Sequence, residues 1–167
     1  MKKKITIVTP TYNSAKTLTT NIQSIQNQSY TNWQHLIIDN VSVDKTIEII
    51  NTNYDSRREI ISEKDNGIYD ALNKGISLAD GEIISILHSD DIFFDNNTLM
   101  EVINKFENYN TDIVYGDLIY VKKNNLNKTL RYWKSNKYEF GLFDKGWSPP
   151  HTAFFMKKKL YEKFGLY

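Results

Sequence analysis

Four short segments in the first half of the chain gather side chains suited to binding a charged ligand. They are Thr9-Pro10-Thr11-Tyr12-Asn13, Asp39-Asn40-Val41-Ser42-Val43-Asp44, Glu63-Lys64-Asp65-Asn66-Gly67 and His88-Ser89-Asp90-Asp91. Acids brought together in one place repel each other, which is costly unless a cation or polar ligand shares the site. A hard divalent ion such as Mg²⁺ or Mn²⁺ suits them, because it takes one or two carboxylates and fills its shell with phosphate oxygens. Other common phosphate-binding devices are missing: no Gly-x-Gly-x-x-Gly follows the first apolar run, and no Walker-type loop is present. The residues therefore point to a ligand whose phosphates are neutralised by a carboxylate-held metal.

Each segment follows an apolar run that reads as a strand: residues 4–9, 33–39, 58–62 and, last, 82–87. Helical patterns separate them. Ser14 can cap a helix with Leu18, Ile22 and Ile25 on one face, and Asp44 suits the cap of a second helix carrying Ile47 and Ile50. Ile68, Leu72, Ile76 and Ala79 form a third stripe that Asp80-Gly81 ends. Alternating strands and helices with short links predict an α/β fold, a mostly parallel sheet with helices on both faces. Ligands bind such sheets beyond the carboxyl ends of the strands, where the four segments fall.

After Asp91 the pattern changes. Residues 97–109 predict an amphipathic helix built on Leu99, Val102, Ile103 and Phe106. Residues 112–122 and 129–133 read as two strands around a turn at 123–127. The stretch 134–150 is aromatic and irregular, and loops of that length tend to be functional. A strand over 151–156 and a short helix over 158–164 complete the pattern, so the second half is expected to carry mixed strands.

Length and composition narrow the classes. The 167 residues suit one domain, 25% charged and 40% apolar, as ordinary globular proteins are. A net charge of +1 gives no reason to expect nucleic acid as a partner. The lack of cysteine excludes disulfides and thiolate metal sites. No run approaches the ~20 apolar residues of a membrane helix. A soluble, cytoplasmic protein is expected. Lys2, Lys3 and Lys4, with Lys157, Lys158 and Lys159, read as solvated ends, or alternatively as contacts to the inner face of a membrane.

The segments Val8-Thr9-Pro10-Thr11-Tyr12-Asn13, Ile38-Asp39-Asn40-Val41-Ser42-Val43-Asp44-Lys45-Thr46 and His88-Ser89-Asp90-Asp91 resemble the successive signatures of the family 2 glycosyltransferases, of GT-A fold. Between them, Glu63 to Gly75 resembles the branch that builds bacterial surface polysaccharides, colanic-acid-type enzymes included. The resemblance implies one GT-A domain over 1–167, with a nucleotide-binding half at 1–91 and the start of an acceptor-binding half at 92–167. It also implies roles. Tyr12 lays its ring on the nucleobase, Thr9 and Pro10 shape the loop beside it, and Asp39 accepts the base's ring N–H, as uracil offers. Asn40 stands where many relatives have a second acid. Asp65 reaches base or ribose, and Asn73 and Lys74 either position the donor or belong to a helix that simply packs, with Gly75 allowing close approach to the sheet. In the acid motif, here Ser-Asp-Asp, Asp91 takes a divalent Mn²⁺ or Mg²⁺ and Asp90 the ribose or the outer shell. His151, aimed by Pro149 and Pro150, meets acceptor, diphosphate or metal, or is structural. Asp117 matches a recurring Tyr-Gly-Asp of unassigned role.

The activity so implied is inverting, metal-dependent transfer of a sugar from a nucleoside-diphosphate donor, a UDP-sugar by preference, to a saccharide or lipid-linked acceptor. The family's catalytic base is expected beyond Tyr167, in a segment that a C-terminally truncated chain lacks; Glu139 and Asp144 do not match its position. A donor-binding module without catalysis and a nucleotidyltransferase are the alternatives, the latter wanting a Gly-rich basic loop after the first strand.

Overall fold

Ile5–Thr11 and Trp33–Asp39 are buried at every position, as strands covered on both faces must be. In the computed structural model, which describes residues 3–123 and 125–167, these runs form the centre of a sheet. The elements are β1 (Ile5–Thr11), α1 (Leu18–Gln26), β2 (Trp33–Asp39), α2 (Thr46–Thr52), β3 (Arg58–Ser62), α3 (Ile68–Leu78), β4 (Ile83–Ile86), α4 (Thr98–Tyr109), β5 (Ile113–Tyr115), β6 (Leu118–Lys122), β7 (Asn125–Trp133), β8 (Phe154–Lys157) and α5 (Lys158–Phe164). Two 3-10 turns, Phe143–Lys145 and His151–Ala153, lie before β8.

Six strands run in the order β3-β2-β1-β4-β8-β5, while β6 and β7 form a separate ribbon. The first four are mutually parallel, and β8 is antiparallel to both its neighbours. The result is the expected α/β architecture, mostly parallel with a mixed second half. Alternation along the strands divides the core. On one face Ile5, Ile7 and Ile83 meet Ile25 of α1 and Leu99, Val102, Ile103 and Phe106 of α4. Ile37 meets Leu18, Ile22 and Ile50. On the other, Val8, Leu36, Ile38, Ile84 and Ile86 pack on Ala71, Leu72 and Ile76 of α3 and Tyr161 of α5.

Gly75 brings α3 against the sheet. A Cβ there would stand 2.3 Å from Val8 Cγ1 and 3.3 Å from Ile38 Cγ1. Gly75→Ala is therefore expected to cost about 1–3 kcal/mol despite the better helix propensity of alanine. A melting temperature unchanged or raised would show that α3 can lift at no cost.

Several expectations need correction. Ser14 does not cap α1 with its side chain. Its carbonyl receives the N–H groups of Thr17 and Leu18, so a turn precedes the helix. Ile68, at the first position of α3, is exposed, and Ala71 and Gly75 complete the buried stripe with Leu72 and Ile76. The expected strand 112–122 divides at Gly116, whose N–H bonds to Ala153, so β5 joins the large sheet and β6 the ribbon. The expected strand 151–156 begins as a 3-10 turn, because Pro150 receives the Ala153 N–H. Asp44 does anchor α2, accepting the Thr46 N–H at 2.9 Å.

Four of the lysines in the two clusters are engaged within the chain. Lys157 and Lys159 pair with Asp112 at 2.8 and 2.9 Å, Lys158 bonds to the Ala79 carbonyl, and Lys4 pairs with Asp80. Lys2 of the first cluster and Asn124 of the expected turn lie outside the described residues, while Asn125, Leu126 and Asn127 of that turn belong to β7, which starts earlier than the expected strand at 129. Among the described residues no helix is long and apolar enough to cross a membrane.

Candidate functional site

The chain reverses its direction of travel across the sheet between β1 and β4, with β2 and β3 on one side and β4 on the other. Pairing of β1 with β2 continues to Thr11 and Asp39, whereas pairing with β4 stops at Val8 and Ile86. The two strands stop pairing beyond Val8, and the gap between them lies where such sheets bind ligands in a crevice. Val8 bonds toward β4 through its carbonyl to Leu87, so Pro10, two residues on, faces the gap. Its missing N–H removes no ladder bond there. Thr9 and Pro10 are thus buried strand residues rather than loop residues. Arg58 Nε donates to His35 Nδ1, and His35 Nε2 lies 3.0 Å from the Thr9 hydroxyl. Burial, then the charge of Arg58, holds His35 well below its ordinary pKa, so the ring is neutral.

Two loops are joined above this floor. Asn13, in a left-handed conformation with φ 49°, accepts the Val43 and Asp44 N–H groups on its Oδ1 at 3.0 and 3.4 Å. Its own N–H donates to Ser42 Oγ at 2.8 Å. Val41 is also left-handed, φ 50°, a strained state for a β-branched residue that surrounding bonds must hold. Asp39 supplies that hold. Its carboxylate is fully buried and accepts the Ser42 N–H at 3.0 Å, the Ser62 hydroxyl at 2.7 Å and the Ser42 hydroxyl. Tyr12 stands at the rim, 61% exposed. Asn40 Oδ1 accepts the Asp65 N–H at 3.1 Å, and Asp65 accepts the Gly67 N–H, which ties the third segment to the second.

The acid motif forms a tight turn in which the Asp91 N–H bonds to the His88 carbonyl at 2.9 Å. Asn21, buried on α1, grips both ends by donating to the His88 and Asp91 carbonyls at 2.9 and 2.8 Å. Ser14 and Ser89 hydroxyls meet at 2.8 Å, joining this turn to the β1 loop. Asp90 is exposed and Asp91 part-buried. Among the described residues no hydrogen-bond donor reaches either carboxylate. Burial first, and the neighbouring Asp90 second, push Asp91 up to about 6. A carboxylate left this way is costly by itself and is relieved by a cation.

His151 also arrives at this turn. Its Nε2 lies 3.1 Å from His88 Nε2, with ring centroids 5.2 Å apart. Burial, then His151, lowers the His88 pKa, so that ring is neutral. Sequence reasoning singled out His151 but missed His88 as its partner, although His88 stands in the acid motif itself. Asn73 and Lys74 are engaged elsewhere: Asn73 pairs through both side-chain atoms with the backbone of Tyr167, and Lys74 with Glu63 at 2.5 Å. Asp117 is a tie, accepting the Ser135 N–H at 2.7 Å and the Tyr132 hydroxyl. The loop after it is organised by Tyr115, Tyr138, Phe143 and Trp147, whose rings pack at 5.4–5.7 Å.

Among the described residues no three acids or histidines converge to hold a metal alone. The donor set fits an ion that brings ligands with it: one carboxylate, Asp91, with phosphate oxygens completing the shell.

Comparison with known proteins bears on family and fold. The sequence model of the family described as Glycosyl transferase family 2 matches residues 6–165. A PGL/p-HBAD biosynthesis glycosyltransferase of Mycobacterium bovis is 35% identical over 117 residues, 68% of this chain and 46% of that protein. The Escherichia coli UDP-Glc:alpha-D-GlcNAc-diphosphoundecaprenol beta-1,3-glucosyltransferase WfgD is 31% identical over 123 residues, 73% of this chain and 48% of that protein. The chain thus spans about half the length of the curated relatives it matches. Among solved structures, the mannosyltransferase PcManGT from Pyrobaculum calidifontis, in complex with GDP-Man and Mn²⁺, superposes with TM-score 0.74 at 18% identity, covering 100% of this chain and 48% of that one. S. aureus TarS 1-349 in complex with UDP-GlcNAc superposes with TM-score 0.63 at 23% identity, over 71% of this chain and 34% of that one. Both likenesses are of fold.

Proposed function

This chain belongs to glycosyl transferase family 2, and from that premise we propose that its crevice binds a nucleoside-diphosphate sugar with a divalent ion and serves inverting sugar transfer. The observation that carries the proposal is Asp91. It is a part-buried carboxylate without a donor among the described residues, raised to about 6, at the switch point of the sheet. Asp91 would hold Mn²⁺ or Mg²⁺ together with diphosphate oxygens, and Asp90 would face the ribose. The ion supplies charge neutralisation on the diphosphate, which makes the nucleoside diphosphate a better leaving group.

The chain's own residues do the positioning. Tyr12, exposed at the rim, offers its ring to the base. Asp39 has about one of four acceptor positions unused, the position proposed for the base's ring N–H, while its other bonds hold the Val41-Ser42 turn in shape. Uridine is the nucleoside proposed, with Asp65 on the base or ribose side. His151, seated on neutral His88, faces the diphosphate or the acceptor. The acceptor, a saccharide or lipid-linked sugar, would lose its hydroxyl proton to a carboxylate. A place in surface-polysaccharide synthesis follows from the same reading.

A thermal-shift screen of UDP, GDP and dTDP sugars with Mn²⁺ tests the donor. The uridine series is expected to raise the melting temperature most, with roughly 2.7 kcal/mol gained at about a hundred times the dissociation constant. Tyr12→Ala should weaken that binding about tenfold through the lost stacking. An equal shift from all three nucleotides, unchanged in Tyr12→Ala, would rule out base recognition at this rim.

A further inference from the structure

The β6–β7 ribbon differs in charge from everything around it. Residues 118–137 carry six basic side chains, Lys122, Lys123, Lys128, Arg131, Lys134 and Lys137, and no acidic one. The whole chain has 21 basic and 20 acidic residues, so the remainder holds fifteen against twenty. A local charge of +6 stands on a body of −5. All six cations are exposed, and among the described residues none enters a salt bridge. The lysines expected from the sequence to be solvated or membrane-facing, at 157–159, are by contrast engaged by Asp112 and Ala79.

Apolar side chains alternate with these cations. Leu126, Leu130 and Tyr132 are 45%, 63% and 54% exposed. The Arg131 guanidinium lies 5.7 Å from the ring centres of Tyr120 and Trp133, which steadies it at the surface. The ribbon is not hydrogen-bonded into the six-stranded sheet. Among the described residues it is fastened near its base, where Asp117 takes the Tyr132 hydroxyl and the Ser135 N–H, Gly116 takes the Ser135 hydroxyl, and the Asn136 carbonyl takes the Tyr115 hydroxyl. Crowded like charges and exposed leucines bring the folded chain no internal gain. They suit a partner.

We propose that this ribbon docks on an anionic lipid surface, its cations on headgroup phosphates and Leu126 and Leu130 in the layer beneath. A soluble polyanion would require the cations alone and would leave the leucines in water. A surface that is negative outside and apolar just below matches both, with long basic side chains reaching up to the phosphates. The ribbon shares no residue with the nucleotide crevice, so the proposal stands apart from the donor reading.

The test is cosedimentation of the full chain with vesicles at about 0.1 M salt. Mixed phosphatidylglycerol–phosphatidylcholine vesicles are compared with phosphatidylcholine alone, and heparin serves as a soluble polyanion. Binding is expected on the mixed vesicles only, unaffected by UDP and lost toward about 1 M salt. Combining Lys122→Gln, Lys123→Gln, Lys128→Gln and Arg131→Gln should weaken it by about a hundredfold or more. Leu126→Ser with Leu130→Ser should weaken vesicle binding about tenfold and leave heparin binding as it was. All six positions are exposed, so both variants should melt with the parent, and the salt titration of the parent reads the charge without any substitution. No dependence on phosphatidylglycerol would overturn the proposal. So would vesicle binding that survives the charge changes, or a leucine variant that binds vesicles like the parent, the latter leaving an acidic protein or polymer as the partner.

Discussion

Asp91→Asn is expected to weaken metal-dependent UDP binding by roughly a hundredfold while making the unliganded protein more stable at alkaline pH. The first effect follows from removing the one part-buried carboxylate placed to share an ion with a diphosphate; even supporting residues around metal sites are worth about 10–100-fold. The second follows from its pKa, raised to about 6 by burial and Asp90. The fold favours the protonated carboxyl, so below the ordinary carboxylate range the charge is absent and costs nothing. As pH rises through about 6 the group ionises in place, and stability is lost. Asparagine avoids that loss. After screening by water at this part-exposed site, the gain should be about 1–2 kcal/mol at pH 8, some degrees of melting temperature, and vanish near pH 4. Melting curves across pH, with UDP titrations beside them, read both effects. If Asp91→Asn binds UDP and Mn²⁺ like the parent, the acid turn is only a structural bend.

Asp39→Ala should be the most destabilising single change at the site. It strips the acceptor from the Ser42 N–H, the Ser42 hydroxyl and the Ser62 hydroxyl at a fully buried position. Leaving such donors unpaired costs about 1–3 kcal/mol each, partly recovered as the hydroxyls rotate, so a net loss of about 3–4 kcal/mol is expected. The left-handed Val41 would lose its support, and with it the bonds that Asn13 makes to Ser42, Val43 and Asp44. Nucleotide binding should fall with the stability. Ser62→Ala, which removes one of the three donors, should cost only about 1 kcal/mol and leave binding nearly intact. Chemical denaturation of the two variants compares them directly. An Asp39→Ala protein as stable as Ser62→Ala would mean that the loop holds itself.

The central strands and α4 could be read from the sequence because their apolar runs and stripes are local signals. Ile5–Thr11 and Trp33–Asp39 leave no doubt about burial, and Leu99, Val102, Ile103 and Phe106 repeat at helical spacing. The break between β5 and β6 was not legible, since it is set by Ala153, far along the chain, meeting Gly116. The acid turn was legible by residue type. What holds it was not: Asn21 looks like an ordinary polar residue on a helix, and Ser14 reaches Ser89 across 75 positions. The pairing of Asn73 was not legible for the same reason, its partner lying 94 positions away. Asp39 was found, but its proximity to Ser42 and Ser62 makes it a structural anchor in a way no residue pattern announces.

The most direct test of a metal-borne nucleotide site is calorimetric titration of UDP into the parent chain, once with Mn²⁺ and once with a chelator. Affinity should be at least about tenfold tighter with the ion, because Asp91 and the diphosphate each lack a counter-charge without it. Equal affinity in the two conditions, or no binding with Mn²⁺ present, would contradict the assignment of the β1–β4 crevice and Asp91 as the donor site.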